Sequence, residues 1–116
     1  MTFEEAEPFQ KDLKRLAKDF NTIRDDLQVL KKVLRVSPES RPPISIELNG
    51  LDLEPIITKV NKMPCRSLPG QGANTGLKII YAYYPKEERI VFIELFFKGY
   101  KNSADLERII EYIGNE

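Results

Sequence analysis

The segment from Gly76 to Lys101, GLKIIYAYYPKEERIVFIELFFKGYK, constrains the fold more than any other part of the chain. Residues 77–84 and 90–97 are rich in β-branched and aromatic types, and Pro85-Lys86-Glu87-Glu88-Arg89 continues neither run. Two strands joined by a charged turn follow, forming an antiparallel hairpin. Strand side chains alternate between two faces. With Tyr84 set opposite Ile90, one face carries Leu77, Ile79, Tyr81, Tyr83, Val91, Ile93, Leu95 and Phe97; it is wholly apolar and must be covered. The other carries Ile80, Ala82, Tyr84, Ile90, Phe92 and Phe96, and gathers Lys78, Glu94 and Lys98 at one end.

Amphipathic helices supply the cover. Phe9, Leu13, Leu16 and Phe20 recur at spacings of four, three and four, one apolar helical stripe. A second stripe is Ile23, Leu27, Leu30 and Leu34, with Thr22 placed as N-cap and Asp25 and Asp26 in the first turn. Pro38, Pro42 and Pro43 then stop the helix. Ile44, Ile46 and Leu48 alternate as in a short edge strand ending at Asn49-Gly50, and residues 56–63 read as a strand leading into the loop Pro64–Thr75. Asn102 or Ser103 is placed to cap a last helix, with Asp105 reaching back to its first amides. Leu106, Ile109, Ile110 and Ile113 form the expected buried side of that helix, and Gly114 ends it. The predicted architecture is one α+β domain over residues 1–116. In it an N-terminal helical hairpin packs on one face of a small twisted antiparallel sheet, with a short C-terminal helix after it.

Composition removes much chemistry. The chain has no histidine and one cysteine, Cys65, so zinc sites of nitrogen and sulfur ligands and histidine-based triads are excluded. Any catalysis falls to lysine, arginine, tyrosine or carboxylates, and neither metal nor cofactor is expected. No apolar run approaches the roughly 20 residues that span a bilayer. The amino terminus lacks the apolar core of a signal peptide, and a lone cysteine suits a reducing compartment. A cytoplasmic protein with no membrane partner is the expectation.

Net charge is zero, but residues 59–101 hold eight cations (Lys59, Lys62, Arg66, Lys78, Lys86, Arg89, Lys98, Lys101) against three carboxylates (Glu87, Glu88, Glu94). Lys78 and Lys98 on the open face, with Arg66, Lys101, Tyr84 and Tyr100 in reach, have the makings of a site for a single-stranded backbone. Cations meet phosphate and rings stack on bases. Metal-free RNA cleavage needs a base for the 2′-hydroxyl, a cation for the phosphorane and an acid for the leaving oxygen. Lysine serves as that base only when desolvation or neighbouring positive charge lowers its pKa from about 10.4. A carboxylate at Glu94 would oppose the shift. The residues alone leave two readings: a phosphate site, or solvated lysines paired with Glu94. The loop carrying Arg66 holds no phosphate-loop motif and reads either as a connection or as a substrate-lining segment.

The stretches EPFQKDLKRLAKDFNTIRDDL, CRSLPGQGANTGLKIIYAYY and IVFIELFFKGYKNSADLERII together resemble the RelE family of bacterial toxins, within the RelE/ParE superfamily. The second carries a basic residue, a glycine-containing loop, then glycine, a cation and an apolar strand ending in tyrosine. The third carries an apolar strand closing in lysine-glycine, then a short helix with a late arginine, Arg108. The resemblance implies a ribosome-dependent messenger RNA endonuclease that a cognate antitoxin neutralises. By position, Lys78 stands where the family usually has arginine on the third sheet strand. Lys98, with Lys101 nearby, stands at the basic end of the fourth, and Arg66, with Lys59 and Lys62, precedes the central strand. Lys78, Lys98 and Arg66 are the expected catalytic set. Lys59, Lys62, Tyr84, Tyr100 and Lys101 are the expected substrate contacts. The alternative is a toxin-fold protein acting through binding alone, as a ParE-like gyrase inhibitor or a decayed member that keeps only its antitoxin interface.

Overall fold

The hairpin is the centre of the molecule. A computed structural model describes residues 1–48, 55–68, 70–72 and 74–115. In it the two long strands are β4 (Leu77–Tyr84) and β5 (Arg89–Phe97), flanked by β1 (Thr2–Glu5), β2 (Ser45–Glu47) and β3 (Ile56–Val60). The sheet order is β1-β5-β4-β3-β2. The helices are α1 (Glu7–Leu16), α2 (Ile23–Val36) and α3 (Leu106–Gly114). The turn expected at Asn49-Gly50 lies outside the described residues.

Two parts of the expected fold are corrected. The chain begins with a strand, not with a helical hairpin, and β1 runs parallel to β5, so the sheet is mixed rather than antiparallel. The segment TFEE offers only Phe3 as an apolar residue, too little to show alternation. Tertiary contacts settle it: the Phe3 ring stacks on Phe92 at 6.0 Å between centroids, and the Arg35 guanidinium lies over Phe3. Second, the face opposite α1 and α2 is not open. Helix α3 covers much of it, packing Ile109 with Ile57, Ile80, Ala82, Tyr84, Val91, Ile93 and Phe96.

The hairpin register explains both faces. From Leu77 to Ile80 the pairing is as expected, with Leu77 opposite Phe97 and Ile80 opposite Glu94. Beyond Ile80 it shifts by one, so Tyr81 faces Phe92 and Tyr84 faces Arg89. Ile93 is the extra residue of a β-bulge, and the parity of β5 reverses there. Ile90 and Phe92 therefore join Leu77, Ile79, Tyr81, Leu95 and the stripes of α1 and α2 in the main core, while Val91 and Ile93 turn to α3. The expected burial of Ile93 under the first two helices is thus wrong by one bulge.

Beyond Glu5 the β1-facing edge of β5 loses its neighbour, and side chains take over. After the Ala6 N–H donates to the Phe92 carbonyl (2.9 Å), Asp12 Oδ2 accepts from the Leu95 N–H at 3.0 Å, and Arg108 donates to the Ile93 carbonyl at 3.2 Å. Asp12 and Arg108 also pair with each other at 2.6 Å. Helices α1 and α3, on opposite faces of the sheet, are tied together across the strand. Burial works against the Arg108 charge, but the hydrogen bond and charge of Asp12 outweigh it and push the Arg108 pKa up.

Asp12→Ala leaves both the Leu95 amide and a guanidinium without their partner. Breaking a buried pair costs about 3–5 kcal/mol, and a loss near the lower end, ~3 kcal/mol, is expected because 23% of the Arg108 side chain stays exposed. Urea unfolding checks this; a change under about 0.5 kcal/mol, the size of an ordinary surface substitution, contradicts the assignment.

Candidate functional site

At the turn-distal end of the sheet, the face that α3 covers elsewhere becomes basic. Lys59 lies opposite Ile80, and Lys78 opposite Phe96, two residues before Lys98. Strand alternation sets Lys59, Lys78 and Lys98 on one side of the sheet. Lys78 Nζ donates to the Asn61 carbonyl at 2.8 Å, which fixes the amine at the end of β3. Lys59 Nζ lies 5.9 Å from the centroid of the buried Phe96 ring, and Lys101 Nζ 5.8 Å from it. This ring is a shared apolar floor for ammonium groups.

Glycine shapes the two approaches. Gly76, at φ +86°, ends the long loop, and its carbonyl accepts the Lys98 N–H at 2.8 Å. A Cβ on Gly99 would sit 2.4 Å from the Phe97 ring, so the backbone after Lys98 closes onto that ring only because no side chain is there.

The electrostatics follow from this crowding. Partial burial first, then the charges of Lys59, Lys98 and Lys62, lower the Lys78 pKa. Glu94 does not counter them in the way expected of a site partner. It is wholly buried, pairs with Lys101 and accepts the Asp105 N–H at 2.8 Å, closing the segment before α3. Its carboxylate serves the α3 junction. Asp105 in turn caps α3 by accepting the Arg108 N–H, in place of the expected Asn102 or Ser103.

The expected site residues therefore divide. Lys59, Lys62 and Lys98 all act on Lys78, with Lys62 also reaching the helix side of the sheet. Lys101 borders the same ring but is neutralised by Glu94. Arg66 lies elsewhere: its guanidinium pairs with Asp25 at 3.2 Å and with Asp26 at 3.5 Å, on the α2 side. The Tyr84 side chain is buried, with its hydroxyl 2.6 Å from that of Tyr112 under α3, so it offers no face to a base. Tyr100 is exposed but packs edge-on against Phe97 and donates to Asp19.

Sequence reasoning missed Asn61, Phe96 and Asp12. Asp12 carries a readable signal: it is three residues after Phe9 and four before Leu16, a carboxylate on an apolar stripe. Asp26 repeats the pattern, buried between Ile23 and Leu30, and accepts a hydrogen bond from the Thr22 hydroxyl at 2.8 Å. Thr22 stands at the α2 N-cap, but its side chain is spent on Asp26 and Ser67 rather than on the first amides.

No protein-family model matches the sequence, and no curated protein matches it. Solved structures do. A chain of the archaeal RelE–RelB complex from Pyrococcus horikoshii OT3 matches with a TM-score of 0.57 at 17% identity, over 84% of this chain and 94% of that one. A metal-bound toxin from Helicobacter pylori matches with a TM-score of 0.56 at 21% identity, over 87% and 98%. The fold is that of RelE-like toxins. At such identities the likeness establishes the arrangement of strands and helices.

The lowered Lys78 pKa has a consequence for stability. The folded chain holds fewer protons than the unfolded one between the lowered value and the ordinary 10.5, so stability rises with pH across that window. The unfavourable charge acts in full below the lowered value and is gone above 10.5. Relative to Lys78→Met, wild type should therefore gain stability as pH rises from neutral to about 10, measured by urea unfolding along the series. Parallel curves for the two proteins would mean that Lys78 does not feel its neighbours.

Proposed function

We propose that this chain is the toxin of a toxin–antitoxin pair and a metal-independent, ribosome-dependent messenger RNA endonuclease acting through its lysine cluster. The observation that carries the proposal is the meeting of Lys59, Lys62, Lys78 and Lys98 at one end of the sheet, with Lys78 pushed toward its neutral form by partial burial first and then by the other three charges. The RelE-like fold supports it, since one structural neighbour is a RelE–RelB complex.

Lys78, the amine with the lowered pKa, accepts the 2′-hydroxyl proton. The 2′-oxygen then attacks the adjacent phosphorus. Lys59 and Lys98 hold the non-bridging oxygens as negative charge builds there. A charged lysine of the cluster donates to the departing 5′-oxygen, leaving a 2′,3′-cyclic phosphate and a 5′-hydroxyl. Arg66 holds the long loop to α2 and has no part in these steps. The antitoxin meets the lysine face through an acidic segment, because the surplus of positive charge there selects one.

The test is single-turnover cleavage of messenger RNA on programmed ribosomes. Lys98→Ala should slow it on the order of 10²–10³-fold, as loss of one oxyanion contact does. Lys78→Ala should lose more, since it removes the proton acceptor together with one charge of the cluster. Alanine variants that cleave like wild type would remove the lysines from the chemistry. Growth arrest by wild type without cleavage would favour a toxin that acts by binding alone.

A further inference from the structure

The outward side of α3 is unlike the surface around it. Leu106, Ile110 and Ile113 recur at spacings of four and three, yet Leu106 is 65% and Ile110 67% exposed. Only Ile109 of the expected buried side is in fact buried. Exposed Glu107 and Glu111 run along one side of this stripe. One exposed apolar side chain is ordinary; three in register along a helix make a face.

A second unfilled apolar surface lies on the other side of the sheet. Helix α2 and the segment after β3 enclose a groove of about 590 Å³. Val29, Val33 and Ile44 stand exposed along it, and Leu30, Val60 and Met63 form its apolar base. Lys32 and Lys62 edge it, and among the described residues neither takes part in an ion pair, whereas Asp25 and Asp26, which also line it, both pair with Arg66.

The two surfaces complement each other. Helix-in-groove recognition uses apolar anchors at i, i+4 and i+7, the spacing of Leu106, Ile110 and Ile113, and one acidic side suits a groove whose two lysines have no ion pair among the described residues. We propose that the α2 groove receives α3 from a second copy of this chain, with Glu107 and Glu111 of one copy meeting Lys32 and Lys62 of the other. Helix and groove lie on opposite faces of the sheet, so a copy cannot fill its own groove. The contact is head-to-tail, with each copy offering one helix and one groove. It shares Lys62 with the lysine cluster but uses neither Lys78 nor Lys98, and its test alters only Ile110 and Val33, so its outcome can be told apart from that of the nuclease reading.

Complementation tests it. Ile110→Glu spoils only the helix stripe, and Val33→Glu spoils only the groove. Both positions are exposed, so both variants should stay folded by circular dichroism. In sedimentation velocity the wild-type chain should grow in mass with concentration, while each variant alone stays monomeric. Mixed one to one, the variants should form a dimer and nothing larger, because the intact α3 of the groove variant enters the intact groove of the stripe variant. Wild type that remains monomeric at every concentration overturns the proposal and leaves both faces to a protein of another sequence. So does a mixture that stays monomeric, and so does self-association that either single variant leaves unchanged.

Discussion

The buried edge of β5 where β1 stops is the constraint on which the rest of the molecule depends. A central strand cannot leave its amides and carbonyls unpaired in a dry interior. Here Asp12 takes the Leu95 N–H and Arg108 takes the Ile93 carbonyl, and each neutralises the other. One ion pair thus completes the strand, seats α1 on one face and α3 on the other. The pair also stands at the bulge. Because the extra residue at Ile93 reverses the parity of β5, the strand can serve two different cores along its length, one under α1 and α2 and one under α3.

The lysine cluster follows from the same geometry. The register between Leu77 and Ile80 places Lys78 beside Phe96 and short of Lys98, while β3 brings Lys59 and the Asn61 carbonyl alongside. Glu94 is the carboxylate that could have discharged this face, and the structure spends it on Lys101 and the Asp105 amide. Positive charge is left concentrated where α3 does not reach. For a carboxylate two residues along the ladder from Lys78, burial and two hydrogen bonds decide the matter, not proximity on the sheet.

Much of this was legible in the residues. The hairpin, the stripes of α1 and α2 and the gathering of Lys78 and Lys98 follow from period-two and 3.6-residue patterns that long amphipathic elements show clearly. The pattern failed where its period was too short or was broken. Four residues of β1 with one phenylalanine carry no alternation, and a bulge leaves no mark in a run as uniformly apolar as RIVFIELFF. The outward stripe of α3 misled for a different reason: apolar spacing on a helix says that a face exists, not that this chain covers it. Among the site residues, Arg66 was placed by family position and Tyr84 by strand alternation, and tertiary partners hold both away from the lysines, Asp25 and Asp26 for one, Tyr112 for the other. Asp12 was visible as a carboxylate on an apolar stripe, although its partner ninety-six residues away was not.

The proposed function rests on one electrostatic feature: partial burial first, then the charges of Lys59, Lys98 and Lys62, lower the Lys78 pKa. An NMR titration of the lysine side chains measures this directly. Lys78 should titrate below the exposed lysines of α1 and α2, and its midpoint should rise when Lys98 or Lys59 is replaced by glutamine. A Lys78 midpoint at the ordinary value of about 10.4, unmoved by either replacement, would contradict it.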